Sequence, residues 1–184
     1  DGWGAKGILT LTRILTQLGH VTVVAPDGPR SGMSNAITPL QPLYLRELND
    51  PNWGTEEWHK NARVYTTNGT PSDCVKLALD VLFEGDPARI NLLASGINHG
   101  SNAAINVIYS GTMGAVFVGA EHGIPSIGYS IDDHSMDADF SHLETYVLEL
   151  TRHLIEEGMP YGVCYNINAP VGELQGVRWT SQCR

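Results

Sequence analysis

The feature that most narrows what this chain can fold into is a regular exchange between two hydrophobic periods. Residues 4–18 place Ile8, Leu9, Leu11, Ile14, Leu15 and Leu18 at helical spacing and stop at Gly19. The β-branched run His20-Val21-Thr22-Val23-Val24-Ala25 follows at once and ends at the turn Pro26-Asp27-Gly28. The exchange then recurs: strand 63–67, helix 71–83 opened by Thr70-Pro71, strand 91–94 stopping at Ser95-Gly96, and helix 112–122 ended by Gly123. Strand 126–131, helix 139–157 ended by Gly158, and strand 163–167 complete the series. Strands that alternate with helices require right-handed crossovers. The expected fold is therefore α/β, a three-layer Rossmann-like arrangement with a mostly parallel sheet and helices on both faces.

Two stretches fit this pattern less well. Residues 35–45 read as a second extended stretch. Residues 46–61 are polar, hold Trp53 and Trp58, and read as a surface excursion. The length of 184 residues suits a single domain over residues 1–184. A doubly wound sheet ordinarily leads with a buried strand, whereas Asp1-Gly2 runs directly into a helix. A missing first strand is therefore expected, and because the sequence also stops inside a polar stretch, a missing C-terminal region is expected as well.

Bulk chemistry excludes some functions. A net charge of -9 is wrong for a broad nucleic-acid face, which needs Lys and Arg against phosphates. It leaves room for one small phosphate ligand held by a metal ion and backbone N–H groups. No apolar run approaches the ~20 residues of a membrane span. Cys74, Cys164 and Cys183 form no CxxC pair and read as reduced thiols of a cytoplasmic protein.

In an open parallel sheet the ligand sits beyond the carboxyl ends of the strands. That rule selects residues 26–34, 68–72, 95–102 and 130 onward. Within and beside them, Ser110-Gly111-Thr112-Met113-Gly114-Ala115 carries two hydroxyls and free N–H groups into a helix start, which suits a phosphate or an ordinary cap. Asn98 offers a carbonyl oxygen to a hard cation, and His99 a proton-transfer group. Asn68-Gly69-Thr70-Pro71-Ser72-Asp73 is a capped strand-to-helix turn. Two rival signals are weaker. Gly2-x-Gly4-x-x-Gly7 with Asp27 copies a dinucleotide fingerprint, but no strand precedes it and Trp3 is bulky for the turn. Asp133, Ser135, Asp137, Asp139 and Glu144 mimic a calcium loop, but Ala138 stands where glycine is needed, so an acidic surface loop is expected.

These blocks together resemble the SurE family of survival proteins, metal-dependent 5'/3'-nucleotidases. The blocks are Val23-Val24-Ala25-Pro26-Asp27 into Ser31-Gly32-Met33-Ser34, then Asn68-Gly69-Thr70-Pro71-Ser72-Asp73-Cys74. Ser95-Gly96-Ile97-Asn98, Tyr109-Ser110-Gly111-Thr112, Gly123-Ile124-Pro125 and Asn166-Ile167-Asn168-Ala169-Pro170 complete them. The family's first strand ends in Asn-Asp-Asp-Gly with both aspartates on the metal, and Asp1-Gly2 resembles its end. The resemblance implies a metal set of Asp1, Ser31 and Asn98, with Asp1 and Asn98 also catalytic. It implies substrate contacts from Ser110, Gly111, Thr112, Asn68 and Gly32, and one divalent ion, Mg²⁺ or Mn²⁺. The implied reaction hydrolyses nucleoside 5'- and 3'-monophosphates, in a homodimer or homotetramer that uses neither nucleic-acid polymer nor membrane. The alternatives are an NAD(P)-binding dehydrogenase, resting on Gly2, Gly4, Gly7 and Asp27, and a non-catalytic nucleotide-binding stress protein.

Overall fold

The structure is a computed structural model that describes residues 1–49, 53, 57–135 and 137–181. The elements run α1 (Lys6–Leu15), β1 (Val21–Pro26), β2 (Arg46–Glu47), β3 (Ala62–Thr67), α2 (Pro71–Leu77), β4 (Leu93–His99), α3 (Gly111–Glu121), β5 (Ser126–Ile131), α4 (Glu144–Glu157) and β6 (Cys164–Ala169). The strands form two three-stranded sheets, ordered β1-β3-β2 and β4-β5-β6. All pairings are parallel except β2 with β3.

The β4-β5-β6 sheet is covered on both faces, and the two-residue period of β5 shows how. Ile127, Tyr129 and Ile131 pack into one cluster with Leu11 and Ile14 of α1 and Val147 and Leu154 of α4. Gly128, one residue out of phase, faces Met113 and Val116 of α3. Successive strand residues thus serve opposite layers, and the three-layer expectation holds. A smaller cluster of Val23, Ala25, Trp53 and Val64 lies on the β1-β3-β2 sheet.

Four sequence readings are corrected. Residues 35–45 form no strand; the only pairing near them is Arg46–Glu47. Pro39 and Pro42 lack the N–H that a ladder needs, and side chains of Asp73 and Asn68 hold the segment instead. Trp53 is 6% exposed, part of a core and not of a surface excursion; the polarity of its neighbours hid this. Helix 71–83 is regular only to Leu77, and residues 78–82 wind as a π-helix. Strand β4 does not stop at Ser95-Gly96 but runs on to His99, with a register shift between Ser95 and Asn98. The short polar residues that read as a loop are the tip of a strand.

Helix α1 bridges the two sheets. Trp3 N–H donates to Pro26 O at the end of β1, and Gly7 lies so close to the Ile97 carbonyl of β4 that a Cβ would collide with it. The carboxyl ends of β1 and β4 therefore meet at the first turn of α1. Among the described residues, no helix is long and apolar enough to cross a membrane.

Candidate active site

Several of the sequence-selected residues lie on or beside these strand ends. Asp1 stands one residue before Gly2, whose Cα side faces Gly28 and the Pro26 carbonyl. The loop after β1 is pinned by the Arg30 guanidinium. It pairs with Asp27 at 2.8 Å and donates to the carbonyls of Asn68 and Gly69 at the end of β3. This holds the next two residues, Ser31 and Gly32, exposed at the rim. Among the described residues the Ser31 hydroxyl has no partner.

Asn98 sits half-buried at the tip of β4. Its Nδ2 spends its hydrogens on the carbonyls of His99 and Gly100, at 2.9 and 2.7 Å. That orientation fixes the amide and leaves Oδ1 as a free acceptor.

Helix α3 begins opposite the loop. Ser110 is its N-cap and accepts from Met113 N at 3.1 Å. The hydroxyl hydrogen is therefore free to donate. No acceptor within the helix reaches the N–H groups of Gly111 and Thr112. No acidic residue occupies the first turn, so the positive end of the helix dipole is uncompensated. A Cβ on Gly111 would meet Pro71 Cγ at 3.0 Å and the Arg30 carbonyl at 3.5 Å. The start of α3 thus packs tightly on Pro71 of α2, with the Arg30 carbonyl, one residue before Ser31, in ordinary contact distance.

The family model described as "Survival protein SurE" matches residues 1–184. The chain belongs to the SurE family. It is 45% identical over 179 residues to the 5'-nucleotidase SurE of Phocaeicola vulgatus, covering 97% of this chain and 65% of that one. It is 43% identical over 185 residues to the 5'-nucleotidase SurE of Bacteroides fragilis, covering 100% and 68%. The crystal structure of the SurE protein from Aquifex aeolicus superposes with a TM-score of 0.80 at 33% identity, covering 94% of this chain and 64% of that one. The chain spans about two thirds of the length of the curated SurE relatives it matches.

Within this SurE chain, Asn68 is spent on scaffolding. Its Oδ1 accepts from Tyr44 N and its Nδ2 donates to Pro42 O. Several residues outside the implied site set build its frame, of which sequence reading passed over Thr38 and Tyr44 and gave Asp73 only as part of a capped turn. Asp73 accepts from Thr38 N, Thr38 Oγ1 and Thr70 N, tying residues 36–38 to the start of α2. Burial alone would raise its carboxyl, but these bonds outweigh burial and hold it below the usual carboxylate range. Tyr44 donates its hydroxyl to Asp27. His134 stacks so closely on Gly100 that a Cβ would collide with the ring, and His99 Nδ1 meets the Ser135 carbonyl at 2.8 Å. The Thr38–Asp73, Gly100–His134 and His99–Ser135 partners are 34 to 36 residues apart, so no local signal announces them.

Among the described residues, no three His, Cys, Asp or Glu side chains gather in a way that could hold a metal. The acidic loop after β5 instead caps its own turns, with Asp133 on Ser135 N and Asp139 on Ser141 N. Cys183 lies outside the described residues.

Proposed function

We propose that this chain carries the active site of a divalent-metal-dependent phosphatase that releases inorganic phosphate from nucleoside monophosphates. The observation that supports it most is the start of α3, capped by Ser110 with no acid in its first turn and with the Arg30 carbonyl beside Gly111. Two relatives at 45% and 43% identity carry the name 5'-nucleotidase, which agrees with that chemistry.

A phosphate seated on α3 would take hydrogen bonds from the Ser110 hydroxyl and from the N–H groups of Gly111 and Thr112. These donors are preorganised by the helix and do not reorient as charge builds on the transferring phosphoryl group. Asp1, Ser31 and Asn98 would hold the divalent ion. The set is a carboxylate, a hydroxyl and an amide oxygen, all hard donors, and it fits because Asn98 has committed its nitrogen elsewhere and keeps its oxygen. When bound, such an ion supplies Lewis-acid polarisation of a phosphate oxygen. The reaction exchanges the ester P–O bond for one to water and frees the nucleoside. Asp1 and Asn98 act at the phosphate end, and Gly32 leaves room for it. Asn68 supports the site by holding residues 42–44.

Mg²⁺ and Mn²⁺ both suit the donor set, and residues 1–184 are read as one α/β domain of a homodimer or homotetramer. The test is phosphate release from AMP or GMP with added Mg²⁺ or Mn²⁺, with and without EDTA. Turnover that EDTA abolishes, and that Asp1→Asn lowers by about a hundredfold or more with an unchanged far-ultraviolet spectrum, supports the assignment. Equal turnover by Asp1→Asn and wild type defeats it. NADH binding in a fluorescence titration would instead favour the dehydrogenase alternative.

A further inference from the structure

The start of α3 continues on one side into an exposed apolar ledge. Met33 is 42% exposed, Ile105 60%, Ile108 55% and Tyr109 62%. The ledge is one surface, because the loop after β1 is fastened to the 3-10 turn Ala104–Ile108 that precedes α3. The Ser34 hydroxyl donates to Ile108 O, and Ser34 N donates to Tyr109 O at 3.3 Å. On the far side, the Ser34 carbonyl lies so close to Gly114 that a Cβ would collide with it. The two segments that build the ledge, residues 31–45 and 101–120, contain no Asp, Glu, Lys or Arg in a chain of net charge -9. Tyr109 is covalently next to Ser110, and Met33 next to Gly32. A ligand anchored by phosphate on α3 would begin one residue from Tyr109, at the edge of this ledge.

We propose that the ledge takes the nucleobase of the substrate, with Tyr109 as the stacking platform that favours nucleotides over simple phosphate esters. This rests on the phosphatase reading of the α3 start. An uncharged, flat, heteroaromatic group suits it: it buries apolar area and offers a π-face to the phenol ring. A charged peptide or a polyanion does not suit a surface without ionic partners.

The experiment compares kcat/KM for AMP with that for ribose 5-phosphate, which lacks the base. Tyr109→Ala should lower the AMP to ribose 5-phosphate ratio by about tenfold or more, mainly through KM for AMP. Tyr109→Phe and Tyr109→Trp should restore the ratio. A parallel calorimetric titration with adenosine, which lacks the phosphate, should show about tenfold weaker binding to Tyr109→Ala. An unchanged ratio, or a ratio that Tyr109→Phe fails to restore, overturns the proposal. So does a change in particle size by light scattering at constant ratio, which would make the ledge a contact between copies. If wild type hydrolyses neither ester, the phosphatase reading fails, while the adenosine titration still decides the fate of the ledge.

Discussion

Helices α2 and α3 begin side by side at the same end of the fold, and both open on a hydroxyl residue. Thr70-Pro71-Ser72-Asp73 starts one and Ser110-Gly111-Thr112-Met113 the other. Their ends have opposite chemistry. In α2, Thr70 and Asp73 form a reciprocal capping box, and the Asp73 carboxylate is the anion at that helix end. It also binds Thr38, so the end of α2 is closed and fastens a loop. In α3 the third helical position is Met113, buried and apolar, and no carboxylate fills the space before the helix. One helix end is satisfied from within; the other is open, and it is the one proposed to take the substrate phosphate. A single position, acid against methionine, separates the closed helix end from the open one.

The comparison breaks most sharply if α3 is made to resemble α2. Thr112→Asp places a carboxylate in the first turn of α3, where it competes with phosphate for the same N–H groups. Turnover of AMP should fall by about a hundredfold or more, because the donors are lost and a like charge faces the substrate. The fold should be unharmed, since an acid in a first turn favours the helix by a few tenths of a kcal/mol. Steady-state rates together with a thermal melt measure both. A variant keeping more than a tenth of wild-type activity would mean that the α3 start is not where phosphate sits.

Ser110→Gly is gentler. Glycine is a tolerable N-cap, costing only a few tenths of a kcal/mol relative to serine, so helix α3 should survive while the hydroxyl donor disappears. A loss of about tenfold to a hundredfold in kcat/KM, with a melting temperature within a few degrees of wild type, is expected. Loss of stability without loss of rate would reduce Ser110 to a cap, which is what Thr70 is.

At α2 the expected effect is on stability. Asp73→Asn keeps the shape but weakens three charge-assisted bonds, and should cost about 2 kcal/mol. Its signature is in the pH dependence. The folded carboxyl of Asp73 lies below its unfolded value, so the unfolded chain binds the proton more tightly. The stability it lends is complete above the unfolded value, about 3.9, and is lost as pH falls through the folded value. Urea melts between pH 2 and pH 6 should show this acid-side loss in wild type and a smaller one in Asp73→Asn. Parallel curves for the two proteins would mean that the latch contributes nothing through its charge.

How much of this was legible in the sequence depended on distance along the chain. Strands β1, β3 and β5 announced themselves as β-branched or alternating runs, and the small residues of Gly111–Glu121 with Ser110 in front marked the start of α3. The caps at Thr70 and Ser110 are local chemistry, visible as spacing. The latch from Asp73 to Thr38 and the clamp from Arg30 to Asn68 join residues 35 and 38 positions apart, and no period encodes such a pairing. Trp53 was misread because its neighbours are polar while its ring is carried onto Val23 and Val64 by the fold. The tip of β4 was misread because a strand that ends in a site trades apolar residues for Ser95, Gly96 and Asn98, and so loses the signal of a strand where it matters for chemistry.

The smallest expected effect concerns Cys74, and it separates two causes that both act at α2. A cysteine in the first turn of a helix is often activated by the dipole. Here the thiol is pushed up to about 12, by burial first and by the neighbouring Asp73 charge second. Iodoacetamide at pH 8, followed by mass spectrometry of the peptide that contains residue 74, should find it unmodified in the native protein and modified after unfolding. Because burial is the larger cause, Asp73→Asn should leave it nearly as slow. Rapid labelling in Asp73→Asn would have two explanations, and the urea melt tells them apart. If the variant also unfolds readily, labelling reports opening of α2. If it is as stable as wild type, the Asp73 charge and not burial silences the thiol, and the closed end of α2 is closed by one carboxylate alone.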